Sequence, residues 1–284
     1  MNYVFRLVSA WVLFSLTVTN TAHSETLTDL AQKTHFHGIS FVRSGSAVLL
    51  IATHHGLFSV GKDGKVSLVS QTQDYMGFSP DPSDPLSYYA SGHPTGGGNS
   101  GFLKSRDGGG TWTQISLGAG GPVDFHQMDV SPVDSKTIYG GFGELQVSKD
   151  GGLTWSVVGP LPPGLLTLAA SSHKAERVFA ATQQGLYVSD DAGVSFQLSD
   201  FIGEIVSTIK MSSDGSLIAF VIGRGLVTSP ESKTYGWLVL SNDFGDEIPL
   251  HIAVDPGDPQ HLAITTQKNS VLESTDGGST WKTF

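Results

Sequence analysis

The chain repeats one hydrophobic rhythm six times. Apolar, β-branched or aromatic runs of strand length occur at VLLIAT (48–53), SYYAS (87–91), TIYGG (137–141), RVFAAT (177–182), SLIAFV (216–221) and HLAITT (261–266). Each is too short for an ordinary helix and is followed, after a turn, by a second such run: GLFSV, GFLKS, ELQVS, GLYVS, GLVTS and SVLES. One strand precedes each pair and another follows it, so the unit has four strands. The units span 35–70, 74–116, 124–159, 165–199, 205–241 and 249–284. Four-stranded units spaced by about 40 residues predict an all-β, six-bladed β-propeller with one sheet per unit. Seven blades is the alternative count, and the chain leaves no room for a seventh unit.

The turn before the last strand of a unit carries a recurring motif: SRDGGGTW (105–112), SKDGGLTW (148–155), SDDAGVSF (189–196) and STDGGSTW (274–281). Its Asp is suited to accept backbone N–H groups within the hairpin, and its Gly supplies positive φ. The Ser/Thr hydroxyl closes a local turn, and the aromatic packs between neighbouring sheets. The expected role is to hold the fold. Units one and five carry eroded versions, SVGKDGKV (59–66) and SPESKTYGW (229–237).

The boxes match Ser-x-Asp-x-Gly-x-Thr-Trp, and over nearly all of residues 25–284 the chain resembles the BNR/Asp-box superfamily of sialidase-like and sortilin-like propellers. More narrowly, HFHGISF, ATHHGLF, DYMGFSPD, SGHP and DFHQM resemble an exported bacterial group commonly labelled glycosylhydrolase. The resemblance implies Asp-box hairpins on a propeller. Fold alone does not fix function.

Charge and composition narrow the partners. Residues 1–24 read as an export signal: Arg6 is the positive n-region, Leu7–Val18 the apolar core, and Ala22-His23-Ser24 a cleavage site. That core is too short to span a bilayer, so no membrane insertion is expected, and the mature chain, 25–284, is expected to be one periplasmic or secreted domain. It carries 15 basic and 26 acidic residues, a formal charge of −11, which argues against nucleic acid as a partner. There is no cysteine, so disulfides and a lipid anchor on Cys are excluded.

Candidate chemistry gathers on one face. The inner strand of each blade starts on the top face, and the loops between second and third strands return there. Aligning the inner strands on Ser40, Ser79, Ser131, Ser171, Ser212 and Asp255 puts His35, Asp74 and His126 in one position, and His37, Met76 and Met128 in the position two residues on, sharing a side of the strand. His54, His55 and His93 sit in top loops, and His251 starts the last inner strand. Blades four to six carry Leu166, Ser207 and Leu250, then Leu168, Ile209 and Ile252, at the equivalent positions. Imidazole, thioether and carboxylate together suit a transition metal. The expected ligands are His35, His37, His54 and His126, supported by Asp74, Met76, His93 and Met128. The two methionines tilt the expected cofactor toward copper, with zinc next. The expected partner is a metal ion or small polar ligand at this face. A hydrolase using the same mouth is the first alternative, either through a metal-activated water or through Asp74 and Asp124 as a glycosidase pair. A protein-binding scaffold is the second, and it would expose an apolar patch near Leu166, Leu168 and Ile209. Sialidase chemistry is disfavoured. It needs three converging arginines, and of Arg43, Arg106, Arg177 and Arg224 only Arg224 maps to the top.

Overall fold

The computed structural model describes residues 25–43, 45, 48–232 and 236–284. The expected export signal, residues 1–24, lies outside them. A short helix, α1 (Leu27–Ala31), leads into blade one: β1 (Phe36–Phe41), β2 (Leu49–Thr53), β3 (Gly56–Val60) and β4 (Val66–Leu68). Blade two is β5 (Met76–Pro80), β6 (Tyr88–Ser91), β7 (Phe102–Ser105) and β8 (Thr113–Ser116). Blade three is β9 (Gln127–Val130), β10 (Ile138–Phe142), β11 (Glu144–Ser148) and β12 (Ser156–Pro160). Blade four is β13 (Leu165–Ala170), β14 (Val178–Thr182), β15 (Gly185–Ser189) and β16 (Gln197–Asp200). Blade five is β17 (Val206–Met211), β18 (Ser216–Val221), β19 (Gly225–Pro230) and β20 (Leu238–Ser241). Blade six is β21 (Pro249–Asp255), β22 (Asp258–Thr266), β23 (Val271–Ser274) and β24 (Lys282–Thr283). Each blade is its own antiparallel sheet in chain order. The inner strands β1, β5, β9, β13, β17 and β21 touch in succession and β21 meets β1, so the ring is a six-bladed propeller. No helix among the described residues is long and apolar enough to cross a membrane.

The unbroken apolar runs have a simple cause: each second strand is covered on both sides. In β2, Leu49 and Ile51 join a cluster with Ala253, Ala263 and Val271 of blade six. Leu50 and Ala52, facing the other way, join Tyr75, Phe78 and Tyr88 of blade two. Alternate residues therefore serve alternate junctions, and each buried Leu or Ile contributes about 1.5–3 kcal/mol.

The four well-formed hairpins share one hydrogen-bond pattern. In the last, Thr280 N donates to Asp276 Oδ1 at 2.9 Å, Thr280 Oγ1 to Asp276 Oδ2 at 2.6 Å, and Gly278 N to Ser274 Oγ at 2.9 Å. Trp281 then packs at the junction with blade five, beside Phe244. The hairpin of blade four tolerates Ala192 at φ 59 but keeps Gly193, because a Cβ there would come within 2.0 Å of Leu145 Cδ2 in the preceding blade. The eroded fifth hairpin is anchored to the neighbouring blade just after β19. Its buried Glu231 accepts from Ser172 N at 3.0 Å, Ser172 Oγ at 2.9 Å and His173 Nδ1 at 2.8 Å, clasping blade five to blade four.

Among the described residues no strand is exchanged to close the ring. Residues 25–33 add no full edge strand: Thr26 bridges Lys65, Val66 N donates to the Glu25 carbonyl, and the chain then turns into α1. Closure rests on side chains. Asn269 Nδ2, from blade six, donates to the carbonyls of Ala31 and Thr34, both at 3.2 Å, and its Oδ1 accepts from Phe36 N at 3.4 Å.

Candidate functional site

The inner-strand register differs from the serine alignment in two blades. The bottom turn of each blade is closed by one backbone N–H, from Val42, Asp81, Ser131, Ser171 and Ser212 in blades one to five. Ser40 and Ser79 thus stand two residues early. Counted from the turn donors, His35 and Asp74 share their position with Asp124, and His37 and Met76 share theirs with His126. Met76 and Met128 are therefore out of step. His37 itself occupies a bulge between Phe36 and Gly38 in the β1–β2 pairing, which breaks the alternation expected of His35 and His37.

The loops bring the rest. The β2–β3 turn is pinned by Thr53 Oγ1 donating to the Gly56 carbonyl at 2.9 Å and accepting from His55 N at 3.0 Å, which raises His54 over the mouth. Blade four builds the same turn from Thr182 and Gly185 but loads it with Gln183 and Gln184. Tyr75 N donates to the Thr53 carbonyl, and Asp74 N to the His93 carbonyl at 3.1 Å, so Asp74 is tied by main chain to both top loops.

The result is a chain of alternating imidazoles and carboxylates across blades one to three. His54 Nδ1 lies 3.3 Å from Asp74 Oδ1, and His37 Nε2 lies 4.0 Å from the same oxygen. One ligand atom from each of His37, His54 and Asp74 lies within 4.8 Å of the other two. His93 Nδ1 donates to Asp74 Oδ2 at 2.9 Å, and its Nε2 is 3.5 Å from Asp124 Oδ2. His126 Nε2 donates to Asp124 Oδ2 at 2.7 Å. Within this imidazole–carboxylate array, His37 Nε2, Asp74 Oδ1 and Asp124 Oδ1 are buried without a hydrogen-bond partner. Such groups cost about 1–3 kcal/mol each unless something occupies the site.

Burial sets the charge of two imidazoles at this mouth. Burial first, then neighbouring His54, pushes His37 down to about 4, against the pull of Asp74. Burial likewise holds His251 at about 4. Both imidazoles are neutral near pH 7, as a metal ligand must be. His126 is raised instead, chiefly by its hydrogen bond to Asp124.

Of the predicted site residues, His37, His54 and Asp74 come together, with His93 behind Asp74. His35 stands exposed at the edge, its ring 6.0 Å from that of His54. His126 lies one carboxylate further round, lining the channel cavity of about 110 Å³ with His37 and His251. Met76 and Met128 are both 7% exposed, and Met128 packs with Tyr89, Phe125 and Val130. Asp124, read from sequence only as a carboxylate candidate, grips His126 and faces His93. Its shared register with Asp74 is the signal that would have linked the two. Of the apolar positions expected to form an exposed patch, Leu168 and Ile209 are buried and Leu166 is half-buried. Three of the four arginines are engaged elsewhere: Arg43 donates to the Asp81 and Asp84 carbonyls, Arg177 pairs with Asp190, and Arg224 with Glu204.

No protein-family model and no curated protein sequence matches this chain. Solved structures do. A GH74 enzyme from Niastella koreensis superimposes with a TM-score of 0.63 at 18% identity, covering 88% of this chain and 45% of its own. The GH74 xyloglucanase of Xanthomonas campestris gives 0.59 at 20%, with the same coverage. YCF48 from Cyanidioschyzon merolae gives 0.55 at 14%, covering 89% and 85%. What they share with this chain is the propeller. The chain spans less than half the length of the GH74 proteins, and at these identities the likeness is one of fold.

Proposed function

We propose that the chain binds one divalent transition-metal ion at the rim of its channel, through His37 Nε2, His54 Nδ1 and Asp74 Oδ1. The observation that carries this reading is the buried pair His37 Nε2 and Asp74 Oδ1, neither making a hydrogen bond, 4.0 Å apart with a second imidazole 3.3 Å from the carboxylate oxygen. Ligand atoms about 2 Å from a tetrahedral ion stand about 3.3 Å from one another, so a small contraction closes the set. Two nitrogens and one oxygen suit zinc or copper(II) better than copper(I), which prefers thioethers. Three protein ligands leave a coordination position for water or a small polar ligand. The test is metal analysis and titration of mature protein beside His37→Ala and His54→Ala. One equivalent bound by the wild type and lost in both variants is expected. Wild-type binding no tighter than the variants overturns the reading.

A second reading is glycoside hydrolysis by Asp74 and Asp124. Its support is that both carboxylates face one imidazole, His93, and that each keeps a buried oxygen that makes no hydrogen bond. The fold likeness to GH74 enzymes makes xyloglucan the first substrate to try. Turnover that survives chelation and is lost in Asp74→Asn and Asp124→Asn would favour this reading over the metal one.

A further inference from the structure

We infer that His93 decides how Asp74 meets an ion, and thereby which ions the rim accepts; this rests on the metal reading above. The His93 ring stands between carboxylates of neighbouring blades, Nδ1 at 2.9 Å from Asp74 Oδ2 and Nε2 at 3.5 Å from Asp124 Oδ2. The main chain fixes its approach. Asp74 N donates to the His93 carbonyl, and Ser100 N closes the loop onto the Gly92 carbonyl at 2.8 Å. Gly92 has φ 117, and a Cβ there would lie 2.4 Å from the Asp74 carbonyl oxygen, so the loop runs flush against the backbone of Asp74. One oxygen of Asp74 is thus committed to the protein. The other, Oδ1, faces His37 Nε2 and His54 Nδ1.

A carboxylate with one oxygen held by a hydrogen bond offers an ion the other oxygen first, and clasping with both would compete with that bond. A small four-coordinate ion of the zinc or copper(II) class needs no more than that. Larger or harder ions that seek oxygen, calcium and manganese, favour more oxygen ligands and carboxylates that clasp with both atoms. His93 is therefore a positioning and specificity residue. It is not a ligand, since both its ring nitrogens already face carboxylate oxygens. An imidazole holding a ligating carboxylate from behind is the kind of outer partner whose loss costs about 10–100-fold in metal affinity.

The experiment titrates wild type, His93→Ala and His93→Gln with zinc(II) and manganese(II), and counts coordinated imidazoles by electron paramagnetic resonance of the copper(II) forms. His93→Ala is expected to weaken zinc binding about 10–100-fold, to leave manganese binding unchanged or stronger, and to keep two imidazoles on copper. His93→Gln, which retains an N–H donor, is expected to recover part of the zinc affinity, and it carries the test if the alanine variant fails to fold. An unchanged zinc-to-manganese ratio overturns the inference, as does the loss of one coordinated imidazole. Wild type that takes up no ion overturns this and the metal reading together. Wild type with one tight equivalent and variants indistinguishable from it overturn this inference alone.

Discussion

In the hairpin of blade four Ala192 holds φ 59 and Gly193 holds φ 85. Both positions favour glycine by backbone, but only Gly193 is also fenced by a neighbour, Leu145 of the preceding blade. Ala192→Gly is therefore expected to be neutral or to stabilise by up to about 1 kcal/mol, as relief of left-handed strain offsets the added chain entropy. Gly193→Ala adds overpacking to strain and is expected to cost about 2–4 kcal/mol. Urea midpoints of the two variants at constant m-value would check this; equal losses would show that strain alone governs the position. The same scale explains why part of the candidate site was hidden in the sequence. Blade turns are closed by a backbone N–H, which any side chain can carry: Val42 and Asp81 do the work that Ser131, Ser171 and Ser212 do elsewhere. Aligning on serine missed that. His37 and His54 were read from sequence as ligands beside His35 and His126, with Asp74 and His93 among the supporting residues, because imidazoles at the blade entries and in the top loops stand out against apolar runs. The bulge at His37 and the pairing of His93 with two aspartates were not, since both depend on register between blades.

At the level of the hairpin, each box aspartate is stabilised in its ionised form. Asp191 and Asp276 are held at about 2, first by the hydroxyls of Ser195 and Thr280 and then by backbone N–H groups. Asp107 and Asp150 are lowered as well. A carboxylate whose folded value is depressed gives stability that is whole above its unfolded value, near 4, and is lost as pH falls through its folded one. Acid is therefore expected to weaken the propeller progressively from about pH 4 toward pH 2. Asp276→Asn is expected to flatten that stretch of the curve; thermal melts at half-unit intervals would show it, and an unchanged slope would remove the hairpin from the cause. The four boxes were plain in the sequence because their chemistry is local, every donor lying within a few residues of its acceptor. The Glu231 clasp was not, because its partners Ser171, Ser172 and His173 lie a blade away.

For the whole molecule, closure and ligand occupancy are the two levers. Asn269→Ala removes three contacts between blade six and the segment entering blade one, and is expected to cost about 1.5–4.5 kcal/mol at about 0.5–1.5 kcal/mol per hydrogen bond. Hydrogen exchange should quicken first at β1 and β22; uniform quickening would mean that Asn269 does not guard the seam. Saturating the rim site should act in the opposite sense, adding about 2.7 kcal/mol at a hundredfold excess over the dissociation constant, read as a rise in melting temperature that His54→Ala abolishes. That gain would reach blades one and two directly and the others only through the ring.

The core is divided into clusters that each straddle two blades, so no sheet owns an interior of its own. A linear repeat protein protects its two ends with capping units. Here every blade caps its neighbours, and the first seam to fail would turn the ring into an open horseshoe with two raw apolar flanks. Such a horseshoe would be a sticky species, prone to pair with another of its kind, and the weakest seam would then govern aggregation as well as melting.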